Sequence, residues 1–217
     1  MYRRIDGDKF RLIYACGDLH GCYDLFQSEL KAIDFDPNQD LMLSVGDLVD
    51  RGAQNLQCLA LINEPWFESV KGNHEELMYN ALLGDDGDAD YWWHINGGSW
   101  DAGLFHEEKH QLMGLARQVP DLPLVIHLQL GRRTVVVAHA DYPLDRYEFG
   151  LPVDPQMVIW NRLRIQKIQC GMSCGIVGAD LFIFGHTILP GPLPHENLLY
   201  IDTGAVRSGI LTIAKVK

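Results

Sequence analysis

Short apolar runs recur along the chain, and each gives way to a small residue or directly to polar side chains. The runs are RLIYAC, LMLSV, WFESVK, TVVVA and LFIF, and the stretches that follow them are, in order, GDLHG, GDLVDRG, GNHE, HAD and GHT. Apolar runs that are bounded by turn-forming residues are typical of strands buried on both faces. The pattern therefore predicts a strand at each run.

Helical periodicity follows the first three runs, at residues 23–33, 55–62 and 75–83. The resulting order, β-α-β-α-β-α, predicts a largely parallel sheet covered by helices. The carboxyl ends of parallel strands meet at one edge of a sheet, and ligands bind at that edge. We therefore expect the polar residues that follow the strands to lie close together.

The composition limits the classes of protein that fit this pattern. The chain has 217 residues, 47% of them hydrophobic, which is enough for one large domain with a substantial core. A net charge of −11 argues against a broad surface for nucleic acid or anionic membranes, although local cations can still bind phosphate. No apolar run reaches the roughly 18 residues of a membrane span. Five unevenly spaced cysteines favour reduced thiols in the cytoplasm, with a Cys170–Cys174 redox pair left open.

Residues with metal-binding side chains follow the predicted strands. They are Asp18, His20, Asp47, Asn73, His139 and His186. Each alone has an ordinary explanation, such as a helix cap, a turn or a packing role, but their repetition at successive strand ends favours a shared site. Oxygen donors mixed with imidazoles suit Mn²⁺, Fe²⁺ or Zn²⁺ better than an all-oxygen Mg²⁺ or Ca²⁺ site. Six ligands suit two ions that share a carboxylate, and Asp47, on the second strand, is predicted to be that bridge.

The motifs GDLHG, GDLVDRG and GNHE, in this order, resemble those of the phosphoprotein phosphatase family of dinuclear metallophosphoesterases. HADYP at 139–143, IWNR at 159–162 and GHT at 185–187 extend the resemblance, which is strongest with bacterial and phage members. It covers residues from about 13 to 204, and the set of three motifs is far more specific than GNHE alone. The resemblance implies hydrolysis of phosphoserine and phosphothreonine, and also of phosphotyrosine, in phosphorylated proteins. It also implies two divalent ions, with Mn²⁺ expected, and direct attack by a hydroxide that bridges them.

The resemblance further implies a role for each matching residue. The implied metal ligands are Asp18 and His20 for the first ion, Asn73, His139 and His186 for the second, and Asp47 for both. His74 would be the general acid, oriented by Asp50. Arg51, Arg162 and Asn73 would bind the substrate phosphate.

The implied fold is α/β, a four-layer αββα sandwich of two mixed β-sheets flanked by helices. This fold replaces the single parallel sheet that the pattern alone predicts. The strands expected in the second sheet are 133–138, 181–184, 198–202 and 210–215. One calcineurin-like metallophosphoesterase domain would span residues 1–217, with a helical insertion around 84–118. The aromatic residues at 91–93 and Trp100 are expected to pack on the core, or alternatively to form a wall facing the substrate.

One position departs from the family pattern, because the residue before GNHE is Lys71 rather than the usual arginine. Lysine offers a point charge where arginine offers a bidentate fork. A Lys71 side chain in the cleft would alter phosphate binding, whereas one pointing to solvent would not. The sequence leaves both orientations open.

Two other functions are also open. The first is a symmetrical dinucleoside tetraphosphate hydrolase of the same superfamily. Such enzymes share the first motif, GDxHG, but their second and third motifs resemble GDLVARG and GNHD. This chain has Asp50 and Glu75 at the distinguishing positions. A non-catalytic phosphopeptide-binding relic would have lost a ligand or the acid, and none is missing here. Both comparisons favour the phosphatase.

Overall fold

Two β-sheets face each other at the centre of the structure, a computed structural model that describes residues 1–217. The first sheet has the strand order β10 (Ile213–Lys215), β2 (Ile13–Cys16), β3 (Leu41–Ser44) and β4 (Phe67–Ser69). Strands β2, β3 and β4 are parallel, as the alternating pattern predicts, and β10 is antiparallel to β2. Strand β3 therefore lies between β2 and β4.

The second sheet contains the remaining strands. Its order is β1 (Tyr2–Asp6), β5 (Val125–Leu130), β6 (Arg133–Ala138), β7 (Leu181–Phe184), β9 (Leu198–Tyr200) and β8 (Leu193–His195). The β5–β6 and β8–β9 pairs are antiparallel and the other three pairs are parallel. Both sheets are thus mixed, and helices cover their outer faces. The αββα sandwich implied by the sequence is confirmed.

Eight α-helices connect the strands. They are α1 (Tyr23–Ala32), α2 (Asn55–Ala60), α3 (Asn73–Leu83), α4 (Ala89–Ile95), α5 (His106–Ala116), α6 (Pro155–Trp160), α7 (Leu163–Gln169) and α8 (Ala205–Ser208). The three predicted helices correspond to α1, α2 and α3. Helix α3 begins earlier than predicted, at Asn73, so Asn73 and His74 lie in its first turn. None of the helices is long and apolar enough to cross a membrane.

The chain between α3 and α5 contains two stretches of different composition. We call residues 84–88 the acidic loop and residues 89–103 the aromatic segment, which comprises α4 and a short 3-10 helix, Trp100–Gly103. Trp93 is buried and packs on the core, whereas Tyr91 and Trp92 are exposed. Trp93 thus packs on the core, whereas a wall facing the substrate, formed by Tyr91 and Trp92, stays a prediction.

The alternation of side chains along each strand builds the core in layers. The residues that meet between the sheets include Ile13, Ala15, Leu41 and Leu43 from the first sheet and Ile126, Leu128, Val135, Val137 and Ile183 from the second. Their sequence neighbours face outward, where Tyr14 and Met42 pack in one cluster with helical residues and Val136 and Phe182 pack in another. Because both faces of the strands are buried, their polar neighbours are confined to the strand ends.

One predicted strand was placed in the wrong sheet. Residues 210–215 were expected in the second sheet, but only Ile213–Lys215 form a strand, and it pairs with β2 in the first. Strand β3 covers one edge of β2, and the last strand of the chain, β10, pairs with the other edge. Strands β1, β5 and β8 were not predicted. β1 (YRRID) has no apolar run, and β8 (LPH) is too short to show a pattern.

Candidate metal centre and active site

The predicted metal ligands lie at the carboxyl ends of strands from both sheets, and all of them are buried. Their order around this edge is Asp18 and His20 after β2, Asp47 after β3, Asn73 after β4, His139 after β6 and His186 after β7. Strand β3 is central in the first sheet, which places Asp47 between the other contributors, as expected from the strand order.

Asp47 belongs to two groups of potential metal-binding atoms. The groups are His20, Asp47 and His74, and Asp47, His139 and His186, and within each group the ligand atoms lie within 4.8 Å of one another. The two carboxylate oxygens point to different groups, because Oδ2 is 3.7 Å from His20 Nε2 and Oδ1 is 3.4 Å from His139 Nε2. A carboxylate in this position can serve two cations at once.

Asn73 completes the second group through its amide oxygen. Asn73 Oδ1 lies 2.9 Å from both His139 Nε2 and His186 Nδ1, and these two ring nitrogens are 3.1 Å apart. His139 Nδ1 donates to Val45 O at 2.7 Å, so in the neutral ring His139 Nε2 presents a lone pair to the Asn73 oxygen, which is also an acceptor. A single proton on His186 Nδ1 could serve both acceptors, but a divalent cation satisfies all three atoms. The donor set therefore fits a metal ion.

The charge states of the site also fit metal binding. Burial lowers the pKa of His20 to about 3 and that of His186 to about 2, so both imidazoles are neutral at physiological pH. Burial opposes ionisation of Asp47, but the neighbouring histidines, His139 first, hold its pKa well below the usual range. Neutral imidazoles and an ionised carboxylate are the forms that bind metals, and His20, His186 and Asp47 have them. Burial opposes protonation of His139, but the neighbouring Asp47 charge raises its pKa, so His139 would release its proton when it binds an ion.

Asp18 lies at this edge but outside both groups. Its carboxylate oxygens accept the backbone N–H of His186 at 3.2 and 3.0 Å. Burial, reinforced by the negative charges of Asp202 and Asp47, raises the pKa of Asp18 well above its usual range. Several carboxylates crowded in this way repel one another, and a cation would relieve that repulsion. The role of Asp18 as a ligand stays a prediction.

His74 and Asp50 form a buried pair, with His74 Nδ1 2.6 Å from Asp50 Oδ2. The other oxygen, Asp50 Oδ1, accepts hydrogen bonds from the indole N–H groups of Trp93 and Trp100, each at 2.8 Å. Asp50 is thus held by both tryptophans, and it holds the imidazole in turn. This arrangement directs His74 Nε2 away from Asp50, to within 4.0 Å of Asp47 Oδ2.

Arg51 connects the two histidines of the first group. Its guanidinium donates to His20 Nε2 and to His74 Nε2, each at 2.7 Å. The aromatic segment holds the arginine from the other side, because the Arg51 backbone N–H donates to Gly97 O at 3.0 Å. The side-chain Nε donates to Asn96 O at 3.4 Å. A fixed guanidinium beside the predicted ligands is suited to binding phosphate oxygens.

The site opens to solvent through a cavity of about 320 Å³, which we call the catalytic cavity. It is lined by Asp47, Arg51, Asn73, His74, Asn96, Trp160, Arg162, His186, Thr187, Ile188 and Arg207. Three of these residues are arginines, although the chain carries a net charge of −11. The cavity is therefore a local cationic site on an acidic protein, which suits an anionic substrate.

Left-handed backbone conformations are concentrated in this site. The residues concerned are His20 (φ 42°), Asp47 (51°), Asp50 (75°), Arg51 (70°) and His186 (66°). A non-glycine residue in this region costs on the order of 1–3 kcal/mol. The sharp turns at the strand ends impose these angles and bring the side chains together. Strain is thus stored at the site and offset by the buried sheets.

Glu75 fixes two of the motif turns relative to each other. Its buried carboxylate accepts backbone N–H groups from Asp47 at 2.9 Å, Leu48 at 2.7 Å and Gly72 at 2.9 Å. A Cβ atom on Gly72 would collide with Asp47, so the turn of the third motif, GNHE, requires glycine at this position. In the sequence, Glu75 distinguishes GNHE from GNHD, but its structural role could not be predicted from the motif alone.

Lys71, the departure from the family pattern, does not line the catalytic cavity. Its Nζ lies 3.5 Å from Glu76 Oε1 on α3, and its side chain is largely buried. The structure thus answers the question that the sequence left open, because Lys71 points neither into the cleft nor freely into solvent.

Several residues that face or hold the site had not been given their role there from the sequence. Among them are Glu75 and Arg207, and also Trp93 and Trp100, which were expected to pack on the core or to form a wall facing the substrate but not to bind Asp50. The sequence did carry a signal for the region of Arg207. The apolar run LLYI is followed by Asp202-Thr203-Gly204, in the same way as at the other strand ends, and Arg207 comes shortly after this stretch. The tryptophans carried no such signal, since their contacts with Asp50 depend on how a distant loop folds back over the sheet.

The fold and the site together define a metallohydrolase, with predicted nitrogen and oxygen ligands at the strand ends and the His74–Asp50 pair beside them. The family model described as calcineurin-like phosphoesterase matches residues 11–190, and the chain belongs to this family. The resemblance seen in the motifs is thereby confirmed.

Individual proteins of known name differ in how much of this chain they resemble. The chain is 40% identical to serine/threonine-protein phosphatase 2 of Salmonella typhimurium, over 100% of this chain and 98% of that protein. A symmetrical bis(5'-nucleosyl)-tetraphosphatase of Actinobacillus pleuropneumoniae is 42% identical, but over only 33% of this chain and 27% of that protein. Among solved structures, a putative diadenosine tetraphosphatase superposes with a TM-score of 0.71 at 19% identity, covering 99% of this chain and 93% of that one. At that identity the superposition supports the fold alone.

Proposed function

We propose that the chain is a metal-dependent protein phosphatase that hydrolyses phosphoserine and phosphothreonine, and also phosphotyrosine, in phosphorylated proteins of the cytoplasm. The observation that carries this proposal is similarity to a serine/threonine phosphatase along the whole chain, whereas similarity to the tetraphosphatase is limited to a third of it. The intact His74–Asp50 pair argues against a non-catalytic phosphopeptide-binding relic.

The proposed metal ligands are the strand-end residues. They are Asp18 and His20 for one ion, Asn73, His139 and His186 for the other, and Asp47 for both. Bound divalent ions would supply Lewis acidity and an activated water nucleophile near neutral pH. The mixture of imidazole, amide and carboxylate donors favours Mn²⁺, with Fe²⁺ or Zn²⁺ as alternatives.

His74 is the proposed general acid. Because Nδ1 is committed to Asp50 at 2.6 Å, Nε2 is the ring atom proposed to exchange a proton with a bound substrate, in place of the hydrogen bond it accepts from Arg51 at 2.7 Å. Asp50 sets the orientation of the imidazole, and Trp93 and Trp100 set the orientation of Asp50. His74 would protonate the departing serine, threonine or tyrosine oxygen.

The arginines of the catalytic cavity are the proposed phosphate ligands. Arg51 lies between His20 and His74, so its guanidinium can donate hydrogen bonds to phosphate oxygens close to both the proposed metal ligands and the proposed acid. Arg162 lines the same cavity, and Arg207 adds a third positive charge that was not predicted from the sequence. The amide of Asn73 adds a polar group without adding negative charge, which keeps the cavity attractive to a phosphate dianion.

The direct test is phosphate release from a phosphoserine peptide and from a symmetrical dinucleoside tetraphosphate, measured side by side. We expect hydrolysis of the peptide with added Mn²⁺ and its loss with a chelator. A large preference for the dinucleotide would identify the tetraphosphate hydrolase instead. Peptide binding without phosphate release under any metal would identify the relic.

A further inference from the structure

A second opening lies beside the catalytic cavity, between α3, the aromatic segment and α6. It has a volume of about 620 Å³, and we call it the side groove. Its apolar lining includes Leu77, Trp92, Ile95 and Trp160. Asn96 and Trp160 line both the side groove and the catalytic cavity, so the two openings are continuous. A molecule anchored in the cavity can therefore extend into the groove.

The side groove exposes large apolar surfaces at its outer wall. Trp92 is 52% exposed and Ile95 is 54% exposed, although both are large side chains on one short helix. Exposed apolar side chains grouped beside a polar cavity are characteristic of binding surfaces. Trp93 of the same helix points inward to Asp50 instead, so the helix presents one tryptophan to the catalytic pair and the next one to the groove.

The charge of the side groove is opposite to that of the catalytic cavity. Two carboxylates, Glu76 and Asp86, line the groove, and no lysine, arginine or histidine does. Glu76 already pairs with Lys71 at 3.5 Å and accepts from Gln156 at 2.7 Å. Asp86 accepts the backbone N–H of Asp88 and has no cationic partner. The negative field of the groove therefore comes chiefly from Asp86 and the rest of the acidic loop.

We propose that the side groove binds the residues that flank the phosphorylated residue of a protein substrate, which makes this inference dependent on the phosphatase function above. An apolar flanking side chain packs on Trp92 and Ile95, and a basic flanking side chain pairs with Asp86. The phosphate enters the cationic cavity while the neighbouring chain crosses Asn96 and Trp160. The favoured substrate is thus a phosphopeptide with apolar and basic residues next to the phosphorylated one.

The test compares kcat/KM for phosphoserine peptides that carry Leu and Arg, or Gly and Glu, on either side of the phosphorylated residue. A nitrophenyl phosphate, which is too small to reach the groove, provides the reference rate. We expect the wild-type enzyme to prefer the Leu/Arg peptides by about tenfold, a typical contribution of one aromatic anchor. Trp92→Ala should lower the ratio of the peptide rate to the nitrophenyl phosphate rate by a similar factor.

A charge reversal and a matched control sharpen the test. Asp86→Lys should shift the preference from Arg-flanked to Glu-flanked peptides, which a merely structural role would not do. Phe105→Ala removes another aromatic side chain, 81% exposed and outside both openings, and should leave the ratio unchanged. Equal kcat/KM for all the peptides, or no effect of Trp92→Ala and Asp86→Lys on the preference, would overturn the groove proposal. If no peptide releases phosphate while the dinucleotide does, the phosphatase proposal itself fails.

Discussion

The strand-end edge of the sandwich and the aromatic segment both face the catalytic cavity, but they contribute different kinds of atoms. The strand ends contribute side chains with free lone pairs, such as Asp47, Asn73 and His139. The aromatic segment contributes hydrogen bonds to the proposed catalytic residues, because two indole N–H groups donate to Asp50 and the Gly97 carbonyl accepts from the Arg51 backbone N–H. The first region is suited to bind ions, and the second positions the residues that we propose act on the substrate.

In this account, metal binding and proton transfer depend on different parts of the molecule, although the residues concerned are neighbours. A change at the strand ends should affect every substrate, because all phosphate esters need the same metal centre. A change in the aromatic segment should affect substrates according to how much their leaving group needs a proton. Each variant below tests that separation.

The largest effect is expected from Asp47→Asn, which removes the carboxylate shared by both groups. The variant should lose bound metal and fall to the activity of chelated protein on alkyl and aryl phosphates alike. Metal analysis alongside rates on both substrate types would check this. Retention of two ions with a loss on alkyl phosphates only would show that Asp47 belongs to proton transfer rather than to metal binding.

His74→Asn should keep its metal and lose about two to four orders of magnitude in turnover of a phosphoserine peptide. A nitrophenyl phosphate leaves as a weak base and needs the proton less, so its loss should be much smaller. Asp50→Asn should show the same pattern in milder form, because it disturbs only the orientation of His74. Equal losses on both substrates, or loss of an ion, would show that His74 is not the acid.

Trp100→Phe tests the aromatic segment directly, since it removes one of the two N–H donors to Asp50. Loss of a hydrogen bond to a buried charge is worth about 1.5 kcal/mol, so phosphoserine turnover should fall about tenfold. The nitrophenyl phosphate rate should fall less. Trp66→Phe is the matched control, because its indole N–H donates to Glu64, away from the site, at 3.0 Å. If the two variants behave alike, the contact with Asp50 has no catalytic role.

The smallest effect is expected from Lys71→Arg, which restores the residue usual in the family. Lys71 pairs with Glu76 and does not line the catalytic cavity, and such ion pairs contribute at most about 1 kcal/mol. Steady-state kinetics should therefore show kcat and KM within about twofold of wild type. A several-fold drop in KM would mean that the residue at position 71 reaches the phosphate after all.

The same contrast explains what could be predicted from the sequence. The strand ends were predictable because buried apolar runs force their polar neighbours to one edge, and Asp47 follows the central strand of its sheet. The roles of Trp93, Trp100 and Glu75 were not predictable, because they depend on contacts between segments far apart in sequence. The placement of β10 failed for the same reason, since three residues carry no information about which edge they join.

The central claim is that the strand-end residues hold two ions and that the His74–Asp50 pair holds none. The most direct test is the number of Mn²⁺ ions bound per chain, measured by elemental analysis after reconstitution and removal of free metal, for the wild type and for His74→Asn. The account predicts two ions per chain in both proteins. One ion per chain in the wild type, or fewer ions in His74→Asn than in the wild type, would contradict it.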